Sequence, residues 1–81
     1  MDLNRYFQHS DLSLCSFLIT TGKVKLLNIE WDDKNQAYFV FNNPQFCKQL
    51  RDDYYNHKAL VDPFQMAITI RELKSRIYGK R

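Results

Sequence analysis

The stretch "KVKLLNIEWDDKNQAYFVFNNP", residues 23–44, decides how this chain is read. Two runs rich in β-branched, aliphatic and aromatic residues, "KVKLLNIEW" and "AYFVF", flank the polar "DDKNQ", which is the pattern of two strands joined by a turn. On a period of two, Lys25, Leu27, Ile29 and Trp31 share one face of the first strand, and Val24, Leu26, Asn28 and Glu30 share the other. In the second strand Ala37, Phe39 and Phe41 oppose Tyr38, Val40 and Asn42. Neither face is cleanly polar. One face is therefore expected to pack on helices, and the other to be partly covered or offered to a partner.

The end of the same stretch starts the next element. Asn43 is a capping residue, and Pro44 suits the first helical position because its missing amide and fixed φ cost nothing there. Phe46, Cys47, Leu50 and Tyr54 then fall on one helical stripe, with Lys48, Arg51 and Asp52 pointing outward and Asn56 as the stop. The same grammar returns at Asp62-Pro63, which predicts a last helix from Pro63 to about Tyr78, terminated by Gly79. Met66, Ile70, Leu73 and Ile77 form its inward stripe, while Phe64, Ala67 and Ile68 make its first half apolar almost all round. On the N-terminal side of the hairpin, Ser10 before Asp11 reads as a helix start and Gly22 as its stop, enclosing the apolar "DLSLCSFLITT".

The expected architecture is α+β: helix, β-hairpin, helix, helix, with three helices packed on one face of a small antiparallel sheet, in a single domain over 1–81. Because a lone hairpin is marginally stable, a short third strand from "NRYF" or "KALV" is expected to widen it. The composition, 44% hydrophobic and 15% aromatic, is that of a folding chain. Its longest apolar run, Ala37 to Phe41, is far short of the roughly twenty residues a bilayer span needs. The start "MDLNRYFQHSD" lacks the charged head and apolar stretch of a secretory signal, so a cytoplasmic protein without membrane contact is expected. Cys15 and Cys47 sit among apolar neighbours as reduced core thiols do, with one disulfide as the alternative.

The residues that suggest chemistry mostly have plainer explanations. Cys15, Cys47, His9 and His57 lack the close spacing of metal ligands, so neither metal nor cofactor is expected. Cys47 and His57 would make a thiolate and base only if Cys47 left its apolar stripe. Asp52-Asp53 reads as solvated helix surface and Asp32-Asp33 as turn residues, since consecutive helical positions diverge by about 100° and do not converge on one ligand. Of Tyr54 and Tyr55, one belongs to the core and the other is half-exposed. The two glycines are both helix stops, which leaves none for a phosphate-binding loop. An enzyme is not expected.

Charge gives the one positive indication. Residues 1–40 carry four Lys or Arg against five Asp or Glu, a net of −1, whereas residues 41–81 carry eight against four, a net of +4. Most of that excess lies in "RELKSRIYGKR", whose basic groups outnumber what a helix C-terminus attracts through its dipole. Arg71, Lys74, Arg76, Lys80 and Arg81, with Tyr78 alongside, are the candidate nucleic-acid contacts, an acidic protein surface being the other partner of the same chemistry. The competing expectation is a protein-interaction or homodimer module, a small regulator or inhibitor of the kind mobile elements carry, using the hairpin around Trp31, Tyr38 and Val40.

The run "SDLSLCSFLITTG", a hairpin ending "YFVFNNPQFCKQL", and "ALVDPFQMAITIRELKSRIYG" together resemble a family of small bacterial proteins known as domain of unknown function 5659. The likeness covers nearly the whole chain and rests on Ser10-Asp11-Leu12, Gly22, Val61-Asp62-Pro63 and Leu73 to Tyr78, mostly caps and core positions. It implies a shared fold and brings no catalytic residue with it.

Overall fold

In the computed structural model, which describes residues 5–79, the chain is α+β with three helices and a three-stranded antiparallel sheet. The order is β1 (Phe7–His9), α1 (Leu12–Thr21), β2 (Leu26–Trp31), β3 (Ala37–Phe41), α2 (Pro44–Tyr55) and α3 (Pro63–Gly79). The hairpin and all three helices lie where the sequence places them. The third strand begins at the last residue of "NRYF" and pairs with the free side of β3, so the sheet order is β1-β3-β2; "KALV" stays a loop, and Asn4 lies outside the described residues.

Pairing across β3 sorts the side chains. Phe7, Phe41 and Leu26 form one row, His9, Phe39 and Ile29 a second, and Ala37 with Trp31 a third, all on the same face because directly opposed residues share a face. Phe7, Phe39 and Phe41, the strand members of the main core cluster, stand on this face, and Leu14, Cys15, Phe17 and Leu18 of α1, Cys47 and Leu50 of α2 and Leu73 of α3 join them. Phe39 and Phe41, 1% and 0% exposed, anchor it from the central strand. Truncating either to alanine is a change of about 3–5 kcal/mol at a fully buried aromatic.

The face assignment of β2 needs correcting. Between Leu26 and Asn28 the ladder shifts register, and Leu27 is the extra residue, 45% exposed. Such a bulge puts Leu26 on the face of Ile29 and Trp31, where strict alternation placed it opposite them. Alternation alone carries no sign of an inserted residue.

Local signals explain the helix ends. Gly22 is left-handed (φ 70°) and its amide donates to Ile19 O, as a glycine stop requires. The start of α1 is capped by Asp11 rather than by Ser10: the Asp11 carboxylate accepts from Ser13 N and Leu14 N at 2.9 and 3.2 Å, while Asp11 N donates to His9 Nδ1 at 3.0 Å. The strand-to-helix turn is thereby held by side chains on both sides of the cap. Asn43 and Asp62 cap α2 and α3 as expected, accepting from Phe46 N and Phe64 N at 3.4 and 2.9 Å. Gly79 is the last residue of α3 rather than a left-handed stop. Ser16, fully buried in α1, has a hydroxyl with no hydrogen-bond partner, the one such side-chain atom among the described residues.

Two stability predictions follow from these contacts. Asp11→Ala should cost about 1 kcal/mol, the usual worth of an aspartate cap. Ser16→Ala should be neutral or stabilising by about 1 kcal/mol, because it removes a desolvated hydroxyl that recovers nothing. Chemical denaturation of the two variants beside the parent measures both; destabilisation by Ser16→Ala would mean that the hydroxyl has a partner.

Candidate functional site

Helix α3 is seated by Leu73, 2% exposed, with Met66 and Ile77 packed beside it against the core. Its main neighbour is α1, where Thr20 Oγ1 lies 3.1 Å from Thr69 Oγ1. With that side inward, Arg71, Lys74, Arg76 and Tyr78 are all exposed. The three cations are not in ion pairs: the salt bridge among the described residues is Arg51–Asp52 at 3.2 Å, on α2. Lys80 and Arg81 lie outside the described residues.

The four described candidates do not form one surface. At about 100° per residue, Lys74 and Tyr78 stand within about 60° of Arg71, but Arg76 stands about 140° away, on the other flank of the helix. There Ser75, Arg76 and Gly79 face Asn28, Ile29 and Trp31 of β2 across an open groove of about 520 Å³. Arg76 thus lines one groove with Trp31, a residue that the sequence assigns to a rival surface.

The proposed hairpin interface is divided. Trp31 pairs with Ala37 on the core face, while Tyr38 and Val40 pair with Glu30 and with Gln8 and Asn28 on the opposite face. Val40 is only 2% exposed and offers no side chain to a partner. The Tyr38 hydroxyl is engaged with Asp32 Oδ2 at 3.2 Å. Asp32 also accepts from Lys34 N and Gln36 N at 2.9 and 2.8 Å through its other oxygen and organises the turn, so it is a structural carboxylate. The amide of Gln36, then those of Lys34 and the Tyr38 hydroxyl, hold its carboxyl below the ordinary value of 3.8.

A different apolar surface was missed. Leu60, 95% exposed, and Phe64, 70% exposed, stand at the start of α3 with exposed Ala67 one turn further on. The signal was present in the all-round apolar first half of that helix, which exceeds what one buried stripe can absorb.

The remaining reactive groups are set apart. Cys15 and Cys47 are free and fully buried, directed at His9 O (3.6 Å) and Asn42 O (3.3 Å). Burial pushes the Cys47 thiol up to about 11, and burial with the Asp11 carboxylate nearby raises Cys15 further. His57 is exposed and left-handed in the turn after α2, so it makes no thiolate pair with buried Cys47. Among the described residues no three His, Cys, Asp or Glu side chains gather as metal ligands, and no helix is long and apolar enough to cross a membrane.

What results is a small α+β domain whose last helix carries cations on two flanks, one of them bordering the sheet edge. Residues 4–79 match the family described as Domain of unknown function (DUF5659), and the chain belongs to that family. No curated protein and no solved structure matches it.

Two measurements check this description. Native protein at pH 8 should leave both thiols unreactive toward a disulfide reagent, and unfolding should release both, because a buried thiol carries little thiolate. On acidification, stability should decline: Asp11, where burial is outweighed by the bonds from Leu14 N, the Tyr55 hydroxyl and Ser13 N, and Asp32 both sit below 3.8 in the fold. Groups lowered in the native state stabilise above their unfolded value and lose that contribution as pH falls through the folded one. An Asp11→Asn, Asp32→Asn variant should therefore show a flatter acid limb in denaturation followed by circular dichroism.

Proposed function

We propose that this domain, its three helices covering one face of the sheet, is a non-enzymatic binding module that contacts nucleic acid through α3. The observation that carries this reading is the unpaired state of Arg71, Lys74 and Arg76 on a well-seated helix. Exposed cations with internal carboxylate partners are mostly structural; cations without them can neutralise phosphates, which releases the counterions condensed on the nucleic acid at a gain in entropy. Tyr78, exposed beside Arg71, adds aromatic surface on the same flank.

Binding of a labelled oligonucleotide, followed by fluorescence anisotropy, should weaken steeply with salt. Arg71→Ala with Lys74→Ala should reduce the logarithmic salt slope by about 1 to 2, the share of two phosphates. Neither residue is buried, so the fold should be untouched. No measurable binding at low salt would end the proposal.

A second reading is favoured by one observation, the exposed Leu60 and Phe64. A protein contact, with a second copy of the chain as its simplest form, would bury them. Light scattering should then show a concentration-dependent dimer that Phe64→Ser abolishes; a monomer at all concentrations would remove the dimer.

A further inference from the structure

We propose that the groove between β2 and the last turns of α3 receives a single nucleic-acid strand, with a base stacked on Trp31 and a neighbouring phosphate on Arg76. This rests on the nucleic-acid reading above and names the form of the ligand.

The groove has the two components that sequence-tolerant single-strand sites combine, an aromatic platform and a cation for the backbone. Trp31 is half-buried and lines the groove directly, so part of it remains accessible to a ligand. Arg76 stands opposite on α3, exposed and without an ion-pair partner among the described residues. Among the described residues no carboxylate lines the groove; Glu30 approaches it only through Asn28, whose Nδ2 donates to Glu30 Oε2 at 3.4 Å. Gly79 contributes no side chain to the groove, and a Cβ there would meet nothing within 4 Å among the described residues.

The form of the ligand follows from where the aromatic sits. In a duplex the base faces are stacked on one another, and a ring recessed beside a strand cannot reach them unless a base is flipped out at a cost of a few kcal/mol. An unpaired strand presents those faces freely. The volume, about 520 Å³, is of the size that holds a small ligand, yet the site is an open groove rather than an enclosing cavity, which suits a chain passing through it. Arg71 and Lys74, on the far flank, lie outside the groove, so the base-stacking and phosphate-only surfaces are separable by mutation.

Trp31 is the only tryptophan in the chain, so tryptophan emission, excited selectively at the red edge beyond tyrosine absorption, reports on this groove alone. The test titrates the protein with a short oligothymidylate and, separately, with a mixed-sequence duplex of equal length, reading Trp31 emission and the anisotropy of labelled strands at low salt. The single strand should quench the emission about twofold and bind at least about tenfold more tightly than the duplex, as expected when stacking adds to phosphate contacts. Trp31→Leu should weaken single-strand binding about 5- to 100-fold, and Trp31→Phe should restore most of it, since stacking needs a ring. Arg76→Ala, at an exposed position, should weaken it about tenfold and provides the test should the Trp31→Leu protein fail to fold. Binding of the labelled strand with unchanged Trp31 emission, or equal affinity for the duplex, would overturn the groove assignment while leaving nucleic-acid binding standing. Failure of both oligonucleotides to bind would overturn both.

Discussion

Leu26 and Trp31 are five residues apart, an odd number, and in an unbroken strand they would face opposite sides of the sheet. The bulge at Leu27 adds the half-period that brings both onto the face occupied by Phe39 and Phe41. Much depends on this one irregularity. It lets Leu26 complete the row with Phe7 and Phe41 at one end of the core while Trp31, at the other end, is carried to the side on which α3 lies. The exposed Leu27 side chain is the cost of that arrangement, and Asn28 and Glu30 are left to the other face.

The central position of β3 follows from its sequence in a similar way. Ala37, Phe39, Val40 and Phe41 are all buried, so β3 cannot serve as an edge with one dry face and one wet one. Pairing on both sides, with β1 and β2, satisfies its backbone where solvent is excluded. The short β1 is held in place by this demand and by the His9–Asp11 link into α1, so the segment before the first helix becomes part of the fold. Val40 illustrates the consequence for surface reasoning: alternation puts it on the less covered face, yet its neighbours shield it almost completely.

What could be read in the sequence was local chemistry. Asn43-Pro44, Asp62-Pro63 and Gly22 each announce a helix boundary because their side chains or backbone freedom act within a few residues. The inward stripe of α3 was readable for the same reason, a fixed angle per residue, and Leu73 confirms its direction. The bulge was not readable, since it is a relation between two strands. The choice of Asp11 over Ser10 turned on a contact from His9 that follows only from the path of β1. For the candidate site, the exposure of the cations was foreseeable, whereas the groove that Arg76 shares with Trp31 depends on where α3 is seated relative to β2, a tertiary fact.

The two flanks of α3 are not equivalent physically, and that difference bears on how a basic helix of this kind selects a ligand. Arg71 and Lys74 are exposed on the flank remote from Arg76, where long side chains in water adapt to any array of phosphates and discriminate little. Arg76 lines the groove shared with Trp31, a half-buried residue of β2. Attraction at the outer flank is long-ranged and falls with salt over a Debye length of about 8 Å at physiological ionic strength. The stacking proposed for the inner flank would be short-ranged and barely screened. A ligand engaging both would be gathered by the first and sorted by the second, so affinity and selectivity in this domain would arise from different sides of one helix.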